Sequence, residues 1–141
     1  MKQIKVAAAV FIEGGKVFCA QRKNEGELAL HWEFPGGKVE EGESGEVTII
    51  REIEEELSAK IEVVRYLMEV EHTYQTFSIS LLAYLCRVVE GELILREHLA
   101  KRWLPLEELY SVNWAAADLP IVALVEKILR GEDGDAWEAD S

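Results

Sequence analysis

Residues 36–59 read GGKVEEGESGEVTIIREIEEELSA, and the rest of the chain is understood from this stretch outward. Two glycines open a polar loop, and the loop feeds a helix carrying Arg51, Glu52, Glu55 and Glu56. Ser44 is placed to cap that helix, with Glu46 in the first turn, where the helix dipole favours an acid. At about 100° per residue, Glu52, Glu55 and Glu56 share one face, while Val47, Ile50, Ile53 and Leu57 gather roughly opposite as a core anchor. Like charges four residues apart, as at Glu52 and Glu56, destabilise a bare helix by about 0.2–0.5 kcal/mol. Such a face makes most sense if a divalent cation neutralises it. Hard cations such as Mg²⁺ take carboxylate, carbonyl, water and phosphate oxygens, and a cation held there can bridge phosphate oxygens and acidify a water.

The 141 residues suit one domain with a real core, and 49% hydrophobic with 30% charged content lies in the globular range. A formal charge of −12 argues against a polynucleotide surface, which is held through basic patches, but leaves room for a single nucleotide. No apolar run reaches the ~20 residues that span a bilayer. The amino terminus, MKQIKVAAAVFIEGG, reads as a first strand because Glu13 and a glycine turn follow it directly. Cys19 and Cys86 sit in apolar strand-like runs without CxxC spacing, so two buried reduced thiols are expected, in a cytoplasmic compartment.

Residues 3–12 and 16–22 are β-rich and joined across Glu13-Gly14-Gly15, a hairpin signal. A polar loop over 23–31 leads to the extended Trp32-Glu33-Phe34, broken by Pro35 and two glycines. Two longer strands are expected over 61–72 and 76–89, and in the second Phe77, Ile79, Leu81, Ala83 and Leu85 share a face. Glu90-Gly91-Glu92 reads as a second hairpin turn into Leu93–Leu95, and Arg102–Leu104 resumes extended character. Asp118 is expected to cap a closing helix, with Pro120 in its first turn and Ile121, Leu124, Val125, Ile128 and Leu129 as its apolar stripe. The order predicts a mixed-sheet α+β domain over residues 1–130, followed by an acidic tail over 131–141 expected to be disordered.

From Gly37 the spacing runs five residues to Glu43 and seven to Arg51-Glu52-Ile53, then one residue to Glu55-Glu56. This resembles the Nudix box, GX5EX7REUXEEXGU with U an apolar residue. Every charged position matches; Ser58 stands in place of the glycine and Ala59 in place of the bulky apolar residue. Trp32–Glu40, WEFPGGKVE, is similar to the corresponding segment of the MutT branch, and the likeness extends to about Leu129. The resemblance implies an α/β/α sandwich and a metal-dependent hydrolysis in which a nucleoside triphosphate yields a monophosphate and pyrophosphate, with Mg²⁺ or Mn²⁺ as cofactor. It also implies a monomer or homodimer.

By position, the resemblance makes Glu52 and Glu56 the principal metal ligands together with Gly36, and makes Glu55 a ligand through water or a base. It has Arg51 orienting Glu52, Glu43 as a further metal or substrate contact, and Glu97 as a distal glutamate brought to the metal. Arg22, Phe34, Gly37 and Lys38 are the expected nucleotide contacts. Asp118 occupies the place where the 8-oxoguanine-specific MutT carries an asparagine. An ionised aspartate only accepts hydrogen bonds, which suits the exocyclic amine of cytosine. Cytosine or modified (deoxy)nucleotides are therefore the expected substrates, as in the CTP pyrophosphohydrolase-like group. The alternatives are 8-oxo-dGTP and a non-catalytic nucleotide-sensing domain.

Overall fold

The first strand explains the architecture. β1 (Lys2–Glu13) alternates its small and branched residues between two faces: Ala7, Ala9 and Phe11 enter one hydrophobic core, and Ala8, Val10 and Ile12 the other. A strand buried on both sides has no polar face, hence its near-continuous apolar run. The computed structural model describes residues 2–132, and the tail expectation lies, from residue 133 onward, outside the described residues. No described helix is long and apolar enough to cross a membrane.

The other elements are β2 (Lys16–Gln21), β3 (Trp32–Glu33), β4 (Gly36–Lys38), α1 (Gly45–Leu57), β5 (Lys60–Thr73), β6 (Phe77–Glu90), β7 (Ala100–Pro105) and α2 (Leu119–Leu129). They build one mixed sheet ordered β3-β2-β1-β6-β5, with β4 on β1 and β7 on β2. β1 and β6 run parallel from Lys2↔Phe77 to Phe11↔Cys86, the other strand pairs are antiparallel, and Trp32 makes an isolated parallel bridge to Trp114. Helix α1 packs Ile49, Ile53 and Leu57 on one face, and α2 packs Ile121, Val122, Val125 and Ile128 on the other. The result is the expected α/β/α sandwich, of α+β class.

Three local expectations change. Val47 and Ile50 are exposed, because the buried row of α1 is Gly45, Ile49, Ile53 and Leu57, four residues apart. Leu93–Leu95 is not a strand: Gly91, at φ +88°, turns the chain away, and the Ile94 amide donates instead to the Leu57 carbonyl at the end of α1. Asp118 stands at the N-cap position of α2, but its side chain makes no capping bond. The preceding 3-10 turn, Ala116–Asp118, already places it in helical backbone, aiming its carboxyl elsewhere. Cys19 and Cys86 are buried and unpaired as expected, and burial pushes both thiols up to about 12.

Candidate active site

The loop–helix is fixed first by steric fit. A Cβ on Gly36 would come within 1.9 Å of the Ala7 carbonyl oxygen, so β4 lies against β1 only as glycine. A Cβ on Gly37 would stand 2.2 Å from Cδ of Glu52, so the Glu52 carboxyl rests directly on that backbone. Ser44 accepts from the Val47 amide at 3.2 Å and starts α1, while Ser58 ends it in the left-handed conformation at φ 60°.

Arg51 organises the carboxylates. Its Nε and Nη2 donate to the two oxygens of Glu43 at 2.8 and 2.9 Å, and its Nη1 donates to Glu52 Oε1 at 2.8 Å. Glu43 also accepts from Thr48 Oγ1 and the Glu40 amide, and these partners, Arg51 foremost, hold it down to about 2. Both Glu43 oxygens are thus engaged by the protein, and it braces Arg51 instead of facing a cavity. Glu55 is exposed, reached by Arg51 Nη1 only at 3.4 Å, and borders a separate hollow with Val47 and Ile50.

Glu56 differs from both. At about 100° per residue it projects within roughly 20° of Ile49, on the buried side of α1, whereas Glu55 is turned away by about another 100°. It lines a cavity of about 300 Å³ with Gly36, Glu97, Glu33, Arg22 and His98. Burial, then the charges of Glu52, Glu97 and Glu33, push its carboxyl up to about 7, opposed by His98. Among the described residues, no three His, Cys, Asp or Glu side chains are closed into a ready metal cage. The donor set nevertheless fits a hard divalent cation: oxygen ligands whose mutual repulsion already resists ionisation.

A second cavity, of about 330 Å³, shares Arg22, Glu33 and Gly36 with the first. Leu28, Phe34, Tyr74, Phe77, Ile79 and Leu81 give it an apolar wall, and Gly37, Lys38 and Asp118 add polar edges. Asp118 Oδ1 accepts from the Phe34 amide at 3.0 Å, across 84 residues. It is 5% exposed, and burial, reinforced by Glu33, raises its carboxyl well above the usual range. An apolar pocket joined to a carboxylate cavity suits a molecule with a flat ring at one end and a charged chain at the other.

Residues 1–125 match the model of the NUDIX domain. The chain belongs to the Nudix family. The CTP pyrophosphohydrolase of Escherichia coli K12 is 36% identical over 122 residues, covering 86% of this chain and 90% of that one. An 8-oxo-dGTP diphosphatase 2 of Mycobacterium tuberculosis H37Rv, so named provisionally, is 35% identical over 136 residues, 96% of each chain. Among solved structures, the DNA mismatch repair protein MutT, a Nudix hydrolase from methicillin-resistant Staphylococcus aureus 252, is 38% identical with a TM-score of 0.74, covering 91% of this chain and 99% of that one.

In this Nudix hydrolase the expected residues separate by place. Gly36, Glu56 and Glu97 meet in the first cavity, with Glu52 beside them on Gly37. Phe34, Gly37, Lys38 and Asp118 line the second, and Arg22 lines both. Glu43 and Glu55 border neither. Sequence reasoning missed Glu33 and His98. Glu33 takes Arg22 Nη1 at 3.0 Å on one oxygen and His98 Nε2 at 2.9 Å on the other, joining the two cavities. The only signals were its alternation with Phe34 along a short strand and the adjacency of His98 to Glu97.

Proposed function

We propose that this Nudix hydrolase cleaves nucleoside triphosphates to monophosphate and pyrophosphate with Mg²⁺ or Mn²⁺, acting on cytosine or modified (deoxy)nucleotides. The observation that supports this reading is that the carboxylate cavity and the apolar pocket share Arg22, Glu33 and Gly36, which leaves room for a phosphate chain near Glu56 with a base between Phe34 and Tyr74. Glu52, Glu56, Glu97 and Gly36 are the proposed cation holders. Bound there, the cation shields the phosphate charge and acidifies water. Arg51 holds Glu52 on Gly37, so one ligand is oriented before substrate arrives. Glu97 shares the cavity with Glu56 and is the proposed base; Glu55, exposed on the far side of Arg51, is poorly placed for either role. Arg22 stands where the two cavities join and supplies positive charge to the phosphates.

Base choice falls to Asp118. Burial raises its carboxyl, and the neutral acid, unlike the carboxylate, both donates and accepts. Oδ1 is committed to the Phe34 amide, and Oδ2 is left to a bound base. A neutral Asp118 also suits 8-oxoguanine, and the M. tuberculosis relative gives that second reading independent support. Pyrophosphate release from CTP, dCTP, 5-methyl-dCTP and 8-oxo-dGTP decides between them. Preference for the cytosine set supports the first reading; preference for 8-oxo-dGTP with CTP ignored replaces it with the second. Release of pyrophosphate from none of them overturns both.

A further inference from the structure

The loop over residues 22–31 contributes Arg22 and Leu28 to the lining of the apolar pocket, and Glu27 ties its tip to a neighbouring turn. The loop is internally closed: Arg22 N donates to His31 O at 2.9 Å, Leu30 N to Lys23 O at 3.2 Å, and Gln21 Nε2 to Leu30 O at 3.1 Å. These bonds close the loop across its stems. At its tip, Glu27 reaches the turn between β5 and β6. That turn is tight, with Tyr74 N donating to Phe77 O at 2.8 Å, so the amides of Gln75 and Thr76 are left outside the ladder. Glu27 Oε2 accepts from Gln75 N at 2.7 Å, and Oε1 accepts from Thr76 N at 3.0 Å and Thr76 Oγ1 at 2.8 Å. Three donors of the turn converge on one carboxylate.

The neighbours of this clasp give it a consequence. Leu28, next to Glu27, lines the apolar pocket, and so do Tyr74 and Phe77 on either side of the clasped turn. The Tyr74 and Phe77 rings lie 5.0 Å apart, and the Tyr74 hydroxyl accepts from Ala117 N at 2.8 Å, which fixes that wall against the segment carrying Asp118. We propose that Glu27 is a positioning residue that clasps the 22–31 loop to the β5–β6 turn, so that Leu28 closes the base pocket opposite Tyr74 and Phe77. Glu27 is exposed and lies outside both cavities, so it acts on base binding without touching the phosphates. The inference rests on the nucleotide reading above for the identity of what fills the pocket.

The test compares wild type, Glu27→Ala and Glu27→Gln on CTP, on 8-oxo-dGTP and on ribose 5-triphosphate, which keeps the phosphates but lacks the base. Glu27→Ala is expected to raise KM for the better nucleotide by about fivefold or more, the worth of a charge-assisted hydrogen bond, with kcat changed less than about twofold. KM for ribose 5-triphosphate rises less than KM for the nucleotide, since Arg22, Lys23 and Glu25 of the same loop line the carboxylate cavity, and Glu27→Gln, whose single amide oxygen replaces only one of the two acceptors, recovers part of the loss. Hydrogen exchange at the Gln75 and Thr76 amides is faster in Glu27→Ala than in wild type. An unchanged nucleotide KM, or an equal shift with ribose 5-triphosphate, overturns the clasp. If wild type cleaves no triphosphate, the proposed activity falls, and the same comparison is made on dissociation constants. Equal weakening of both ligands then overturns the clasp, and selective weakening of the base-bearing one upholds it.

Discussion

Glu56 is the residue at which packing and charge meet. Its helical position aims it into the sandwich, and its neighbours there are other carboxylates, so ionisation is unfavourable without a cation. Its folded value, about 7, lies above the ordinary 4.5, so the metal-free protein loses stability as pH rises from about 4.5 through about 7. Glu56→Gln removes that loss. In chelator, the variant is expected to match wild type near pH 4 and to exceed it at pH 8 by about 1–2 kcal/mol, discounted for partial exposure, in urea unfolding. The two glycines give a second residue-level contrast. Gly36→Ala drives a Cβ into β1 backbone and is expected to destabilise by about 2 kcal/mol or more in the same unfolding assay. Gly37→Ala meets only the flexible end of Glu52, so it keeps its fold by circular dichroism while kcat/KM falls by at least about tenfold. Glu52, Glu56, Gly36 and Glu97 are reached from the sequence through the resemblance to the Nudix box and the MutT branch, and Gly36, Glu56 and Glu97 line one cavity. The state of Asp118 is not legible in the sequence, because its burial and its bond to Phe34 are set by contacts across 84 residues.

At the scale of the element, α1 shows where pattern reading succeeds and where it slips. Its start at Ser44 is readable from local chemistry, whereas its end at Ser58, a non-glycine residue in the left-handed region, is a finding of the structure. Its buried row is not readable either, because Val47 and Ile50 are apolar yet face outward, while Glu56 is charged yet faces in. An acid placed on the core side of a helix defeats any rule that equates inward with apolar. Ser58 carries its own prediction. A non-glycine residue in the left-handed region costs about 1 kcal/mol, and the Ser58 hydroxyl recovers part of this by accepting from Arg96 Nε at 2.6 Å. Ser58→Gly is therefore expected to raise stability by less than about 1 kcal/mol, whereas Ser58→Val, β-branched and without the hydroxyl, lowers it by about 1–2 kcal/mol. Chemical denaturation of both variants checks the order.

For the whole molecule, the order of elements, the alternation in β6 and the stripe of α2 make a mixed-sheet α+β domain legible in the sequence, and the resemblance adds the α/β/α layering. The parallel pairing of β1 with β6 is not legible, since no local signal specifies which long strand seats beside the first. The same pairing matters for the site: it sets Phe77, Ile79 and Leu81 beside Ile4 and Val6 in the lining of the apolar pocket, while β4 brings Gly36 and Gly37 under α1. The central claim is that the carboxylates gathered at this junction hold the cation needed for pyrophosphate release. Mn²⁺ titration followed by electron paramagnetic resonance, paired with pyrophosphate release from the preferred triphosphate, tests it on wild type and Glu56→Gln. Expected are Mn²⁺ binding weakened by more than about tenfold and turnover lowered by about a thousandfold or more, with an unchanged circular dichroism spectrum. Wild-type Mn²⁺ affinity and wild-type turnover in Glu56→Gln contradict it.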